Sequence, residues 1–238
     1  CTSLASVTIG MGVTRIDSQA FYNCIALTSI TIPNGVTLIG QHTFSACASL
    51  TNITIPNSVT SIWESAFADC TSLNTVTLGN GITSIEENTF RGCNSLTEVT
   101  IPDSVTRIGY FAFEGCASLT SVSIGKGVRN IGDALLFGCP SLTAITVDPL
   151  NGFFSSVDGV LFDKAQKTLL KYPDGRAGSY VIPEGVTNFG LAFAGSIGLS
   201  SVTIPASVSY VGYFAGCTNL TTAYFRGDAP GYGKGASP

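Results

Sequence analysis

The amino-acid sequence predicts a solenoid in which short parallel β-strands stack along one face, and three observations carry that prediction. Cysteines stand at 1, 24, 47, 70, 93, 116 and 139, so that six successive intervals are each 23 residues long. Within every interval the apolar residues return to the same places: a Leu three residues after the Cys, then two branched aliphatics with one residue between them. Pro or Gly closes the alternating segment in each copy, as at Pro33, Pro56 and Pro102 or Gly10, Gly79 and Gly125. Self-similarity at this period makes each copy a supersecondary unit that buries its apolar side only against its neighbours.

The cleanest copy starts at Cys93 and reads C-N-S-L-T-E-V-T-I-P-D-S-V-T-R-I-G-Y-F-A-F-E-G. Its first element is a strand. Leu96, Val99 and Ile101, like Leu27, Ile30 and Ile32 or Leu50, Ile53 and Ile55, end on the period-two alternation of a strand with one buried face. The Pro or Gly that follows ends it by removing a donor or relaxing the backbone. A second apolar pair comes next, Val36 with Ile39, Val59 with Ile62 or Val105 with Ile108. The copy then closes on a small residue and an aromatic, such as Ala66-Phe67 or Ala112-Phe113, which are read as core. Each rung therefore has a strand side and a short irregular side, and both point side chains inward.

One thiol per rung makes a column. No two of the 8 cysteines are closer than 21 residues, which excludes paired zinc-ligand spacings. Parallel Cβ vectors on neighbouring rungs seldom reach a disulfide dihedral, so the column reads as small buried thiols filling a tight corner. Ser196 occupies the same slot and is read as an equivalent filler. Charged residues are 11% of the 238 and the net charge is −4, which argues against nucleic acid as a partner. No run approaches the roughly 18 apolar residues of a membrane span. The first residue falls directly on a repeat position and neither end reads as a polar cap, so the chain is expected to be part of something longer.

These residues carry a resemblance. L-x2-I-x-I is the strand of a leucine-rich repeat, and the continuation I-P-x2-V-T-x-I-G-x2-A-F-x2-C resembles the BspA-like, or Treponema-type, leucine-rich repeat family of bacterial and protist surface proteins. The match runs over 1–147 and 180–225. It implies a leucine-rich-repeat solenoid with a parallel β-sheet on one face and short irregular or 3-10 turns on the other. It further implies an exported, extracellular or cell-surface protein that engages a protein or glycan on a host or neighbouring cell. The asparagine that usually follows the strand is missing, and the Thr after the valine (Thr14, Thr37, Thr60, Thr83, Thr106, Thr187) is expected to take over its hydrogen bonding.

The repeat breaks after Val147. Residues 148–179 carry Asp-Gly and Pro-Asp-Gly turn signals around the apolar runs Val160 to Phe162 and Thr168 to Tyr172, which predicts a β-hairpin insert with Lys164 and Lys167 near its tip. The insert holds three of the five lysines, Lys171 being the third, and is read as structural with the tip lysines as candidate partner contacts. Shortened repeats fill 180–225, since Ser196 to Cys217 is only 21 residues. The domain reading is thus one solenoid over 1–225 followed by a Gly- and Pro-rich tail, 226–238. Arg226-Gly227-Asp228 in that tail is read as structural rather than as an integrin ligand.

Catalytic chemistry finds no foothold. The single histidine, His42, sits in the variable part of one rung and reads as a solvent-facing side chain, and Glu86-Glu87 reads as a solvated edge. No metal, cofactor or nucleophile motif is present. What remains is the outward face of the strands, where two columns of short polar side chains recur: Ser29 and Thr31, Asn52 and Thr54, Thr75 and Thr77, Glu98 and Thr100, Ser121 and Ser123. Such a face suits polar, water-mediated contact. It supports a non-enzymatic binding or adhesion module. The alternative is a structural spacer, or a subunit that stacks end to end by self-association.

Overall fold

A computed structural model describes residues 1–227 in two compact units, one running from Cys1 to Cys139 and the other beginning at Pro140. The fold is a parallel β-solenoid of the leucine-rich-repeat kind, and among the described residues no helix forms. Residues 228–238, including Asp228 and most of the tail, lie outside the described residues.

In unit 1 two kinds of strand alternate along the chain: β1 (Ser6–Thr8), β2 (Arg15–Ile16), β3 (Ser29–Thr31), β4 (Leu38–Ile39), β5 (Asn52–Thr54), β6 (Ser61–Ile62), β7 (Thr75–Thr77), β8 (Ser84–Ile85), β9 (Glu98–Ile101), β10 (Arg107–Ile108), β11 (Ser121–Ile124) and β12 (Asn130–Ile131). The odd-numbered strands are the predicted ones. They pair in parallel at one repeat's offset, as in Ile53 beside Val76 and Val99 beside Val122. The even-numbered strands are two residues long and form their own parallel ladder, Ile16 beside Ile39 beside Ile62. This second ladder lies in what the sequence presented as an irregular stretch. It forms because Val36, Val59 and Val105 are wholly buried with Ile39, Ile62 and Ile108, which holds successive rungs in register there too.

The threonine expectation is met at four of the six positions, Thr37, Thr60, Thr106 and Thr187, while Thr14 and Thr83 make no such bond among the described residues. Thr37 Oγ1 donates to Thr14 O at 3.1 Å, Thr60 Oγ1 to Thr37 O at 3.2 Å and Thr106 Oγ1 to Thr83 O at 3.1 Å, each joining a rung to the one before it. A third set of rung-to-rung bonds runs the other way on the turn side, where Phe44 N donates to Ala66 O and Phe67 N to Thr89 O. Two residues per rung adopt left-handed backbone there, five residues and one residue before the next Cys. The first slot holds Gln19, His42, Ser65, Asn88, Phe111 and Ala134, with φ between 53° and 61°. Glycine has taken over only the second, at Gly92, Gly115 and Gly138.

The core consists of columns. Phe21, Phe44, Phe67, Phe90 and Phe113 stack with ring centroids 5.2–5.4 Å apart and planes within 11° of parallel. Beside them runs the thiol column, which does more than fill space. Cys47 Sγ donates to Phe21 O, Cys70 to Phe44 O, Cys93 to Phe67 O, Cys116 to Phe90 O and Cys139 to Phe113 O, at 3.1–3.3 Å. All eight cysteines are free. Burial pushes the Cys47 thiol up to about 11 and raises Cys70, Cys93 and Cys116 further, because a thiolate there would lose its water.

Two results are expected from this arrangement. A thiol-specific colorimetric reagent at pH 8 will titrate Cys1 promptly and Cys217 slowly, while the six cysteines from Cys24 to Cys139 will react only after denaturant is added. Because the folded pKa values of Cys47, Cys70, Cys93 and Cys116 lie above the unfolded one, the stability these four protect is complete below about pH 9 and declines as pH rises through about 11, the value of Cys47. Prompt titration of all eight in the native protein would show that the column is not closed.

Unit 2 contains β13 (Ala144–Val147), β14 (Phe154–Val157), β15 (Val160–Asp163), β16 (Leu169–Lys171), β17 (Gly178–Val181), β18 (Leu199–Ile204) and β19 (Thr222–Phe225). The predicted hairpin is β15–β16, and it has a third antiparallel strand, β14, which the short polar run Ser155-Ser156 concealed. Asp158-Gly159, with φ of 50° and 77°, makes the two-residue turn between β14 and β15. Val160, Phe162, Leu169 and Tyr172 of the insert share one core with Ile182, Phe189, Phe193, Leu199, Val202 and Ile204 of the shortened repeats. Tyr172 stands where a rung would have its Phe, 5.3 Å from Phe193. The insert thus supplies core to the repeats that follow it. Strands β17, β18 and β19 are parallel, with Tyr180 beside Val202 and Val202 beside Ala223.

One sequence reading needs correction here, and one lysine has a role the sequence did not show. Unlike the tip lysines, Lys171 is largely buried: its side chain is 12% exposed and its Nζ lies 2.5 Å from Oδ1 of Asp174, itself 1% exposed. Ser196 is not an equivalent of cysteine, because its buried hydroxyl has no partner among the described residues whereas Cys217 Sγ donates to Phe193 O at 2.9 Å. The shorter Ser side chain fills the corner without completing the ladder.

Candidate functional site

The strand face of unit 1 is built from the odd-numbered strands, whose Val and Ile point into the core and whose neighbours must point out. Parallel register sets Ser6 beside Ser29 and Thr8 beside Thr31, Asn52 beside Thr75 and Thr54 beside Thr77, Glu98 beside Ser121 and Thr100 beside Ser123. These residues are exposed apart from the half-buried Ser121. Each predicted strand-face residue therefore stands in its expected column.

The hydroxyls divide into two populations. Those of Thr37, Thr60 and Thr106 are committed to carbonyls of the preceding rung, as are those of Thr51 and Thr120 at the start of the strand. The hydroxyls of Ser29, Thr31, Thr54, Thr75, Thr77 and Thr100 have no partner among the described residues. Asn52 turns its amide to Thr51 Oγ1 at 3.1 Å. Charge is scarce on this face, Glu98 being its ionised member within β3–β11. Elsewhere in unit 1 charges pair between rungs: Arg91 Nε with Glu114 Oε2 at 2.7 Å, Lys126 Nζ with Asp103 Oδ2 at 3.0 Å, and Arg107 with Glu86. Lys126 holds the Asp103 carboxyl below the usual carboxylate range.

The lysines of the insert belong to unit 2. Lys164 and Lys167 are exposed in the β15–β16 connection, as expected. Asp163 Oδ1 accepts from the backbone N of Lys167 and Thr168 and so fixes the turn, while Lys164 Nζ donates to Pro149 O at 3.3 Å.

The turn side of unit 1 holds a feature the sequence did not reveal. His42 is only partly exposed, with Nδ1 buried and without a partner, contrary to its reading as a solvent-facing side chain. It lines a polar pocket of about 340 Å³. The pocket arises between two columns, the left-handed slot and the slot three residues on, where Ser45, Ser65 and Ala68 leave room between larger neighbours. No single residue announces it. The signal was two small side chains in register on successive rungs, legible only once the rungs are stacked. Among the described residues no group of three or more His, Cys, Asp or Glu is placed to hold a metal ion, and no helix is long and apolar enough to cross a membrane.

Comparison with known proteins follows the same lines. Among solved structures, a leucine rich cell surface protein from Faecalibacterium prausnitzii is 30% identical, with a TM-score of 0.70 over 93% of this chain and 79% of that one. A leucine rich repeat protein of T. pallidum is 26% identical, with a TM-score of 0.63 over 89% of this chain and 86% of that one. The pneumococcal vaccine antigen PcpA, at 24% identity and a TM-score of 0.59, shares the fold over 83% of this chain, which spans 59% of it. No curated protein matches. The BspA type leucine rich repeat region matches in 6 copies, over residues 1–97, 83–167 and 177–234, and the chain belongs to that family.

Proposed function

We propose that the chain is a non-enzymatic, exported binding module that contacts a protein or glycan on a host or neighbouring cell through the strand face of unit 1. The observation that carries this reading is the division of the hydroxyls: those between rungs are used up in holding the repeat together, while those of Thr31, Thr54, Thr77 and Thr100 are left for another molecule. A nearly uncharged surface rich in spare donors and acceptors suits a wet, polar interface. Family membership and the likeness to a cell surface protein support export. The exposed Lys164 and Lys167 are proposed as a secondary contact.

The test is the triple variant Thr54→Lys, Thr77→Glu, Thr100→Lys, in which alternating charges stack favourably across the strands while adding bulk to the face. Against an array of extracellular-matrix proteins and surface glycans, the native chain is expected to bind and the variant to lose at least tenfold in affinity with an unchanged melting temperature. Equal binding by the two would remove the strand face from the account. Light scattering of the same samples separates the alternative role as a stacking spacer, which predicts a mass that grows with concentration.

A further inference from the structure

The turn-side pocket of unit 1 has the makings of a second site. Its floor is small and buried: Ser45, Ser65 and Ala68. At one end stand Tyr22 and His42, their rings edge to face with centroids 6.4 Å apart and planes at 80°. Asp69, Asn88 and Arg91 close the other end. Arg91 is already engaged with Glu114, and Asp69 places a carboxylate beside it. The hydroxyls of Ser45 and Ser65, though both residues are buried, have no partner among the described residues, and neither has Nδ1 of His42. Buried polar groups are ordinarily hydrogen-bonded, so the unpartnered Nδ1 of His42 is an exception, and the Ser45 and Ser65 hydroxyls, which bond nothing among the described residues, leave the hollow lined with polar groups that a polar occupant could satisfy.

The chemistry narrows the occupant. The polar lining is a poor bed for an apolar ligand. A carboxylate at the rim and a guanidinium committed to another carboxylate disfavour an anion. Hydroxyls, an amide, an imidazole and a carboxylate around one aromatic ring match a neutral polyhydroxylated ring, which offers donors and acceptors around its edge and C–H groups to the aromatic. We propose that this pocket binds a single neutral sugar residue, held by Ser45, Ser65, His42 and Asp69 against Tyr22. Such a site is distinct in position from the strand face, and it stands or falls independently of it.

The test uses saturation-transfer NMR on the full chain with the methyl glycosides of glucose, galactose, mannose, fucose, N-acetylglucosamine and N-acetylgalactosamine at millimolar concentration, the range a small polar site reaches. The variant that closes the pocket is Ala68→Tyr. The repeat accommodates an aromatic at this slot, since Tyr22 and Phe137 occupy equivalent positions in other rungs. Transfer to at least one glycoside is expected, lost in Ala68→Tyr and in Asp69→Ala, and retained in the strand-face triple variant. Absence of transfer to all six, or transfer that survives Ala68→Tyr in a variant with native melting behaviour, overturns the proposal. If Ala68→Tyr melts early, Ser45→Ala takes its place, with the same loss expected and undiminished transfer counting against the site.

Discussion

Replacing Phe67 with alanine is expected to cost about 3–5 kcal/mol of stability. Phe67 is wholly buried and lies between two rings, 5.2 Å from Phe44 and 5.4 Å from Phe90, so its loss removes two stacking contacts and leaves a hollow that two rungs share. Those rungs are tied on three sides by backbone bonds and have little freedom to collapse into the space. Phe21→Ala makes the informative comparison. Phe21 has one stacked partner, Phe44, and is partly exposed, so its removal should cost distinctly less. Denaturant midpoints of the two variants measure the difference, and equal losses would mean that neither burial nor stacking within the aromatic column sets the cost.

The second large effect is expected in unit 2. Lys171→Met should destabilise it by about 3–5 kcal/mol, because it leaves the Asp174 carboxylate, 1% exposed, without its cation. Lys171 also donates to Ala194 O at 3.3 Å, so the variant severs a contact between the insert and the rung that follows. Lys164→Met is the control. Its parent side chain is exposed and makes one long bond to a carbonyl, and its loss should change stability by less than about 0.5 kcal/mol. Urea unfolding followed by tyrosine fluorescence reads both. Similar small effects from the two would show that the buried pair is dispensable.

The repeat, the strand side and the core columns were legible in the sequence because each follows from side-chain chemistry at a fixed period. Val99 and Ile101 point inward and Glu98 and Thr100 outward whatever the neighbours are, once β9 is a strand. Features that depend on backbone shape were harder to read. Left-handed conformation at Gln19, His42, Ser65 and Asn88 carries no glycine to announce it, and the two-residue strands such as Leu38–Ile39 are too short to alternate. The thiol hydrogen bonds across rungs were hidden for a different reason. Cysteine and serine are alike in size, and only the stacked geometry shows that the thiols donate to Phe carbonyls while the Ser196 hydroxyl does not. The pocket beneath His42 belongs to the same class: it is a property of four rungs together. Beside the candidate face, the sequence revealed the columns and the committed threonines after the valine, such as Thr37 and Thr60, but not that Thr51 and Thr120 at the start of the strand are committed as well.

That commitment is the centre of the account, and one comparison tests it directly. Two triple variants each remove three threonine hydroxyls, in different places: Thr37→Val, Thr60→Val, Thr106→Val between the rungs, and Thr54→Val, Thr77→Val, Thr100→Val on the strand face. Their denaturant midpoints should separate, the first variant losing about 2–3 kcal/mol for three broken hydrogen bonds and the second unchanged or slightly gained, since valine suits a strand as well as threonine. If the strand-face variant loses as much as the inter-rung one, the hydroxyls of the face are part of the scaffold and are not spare for a partner.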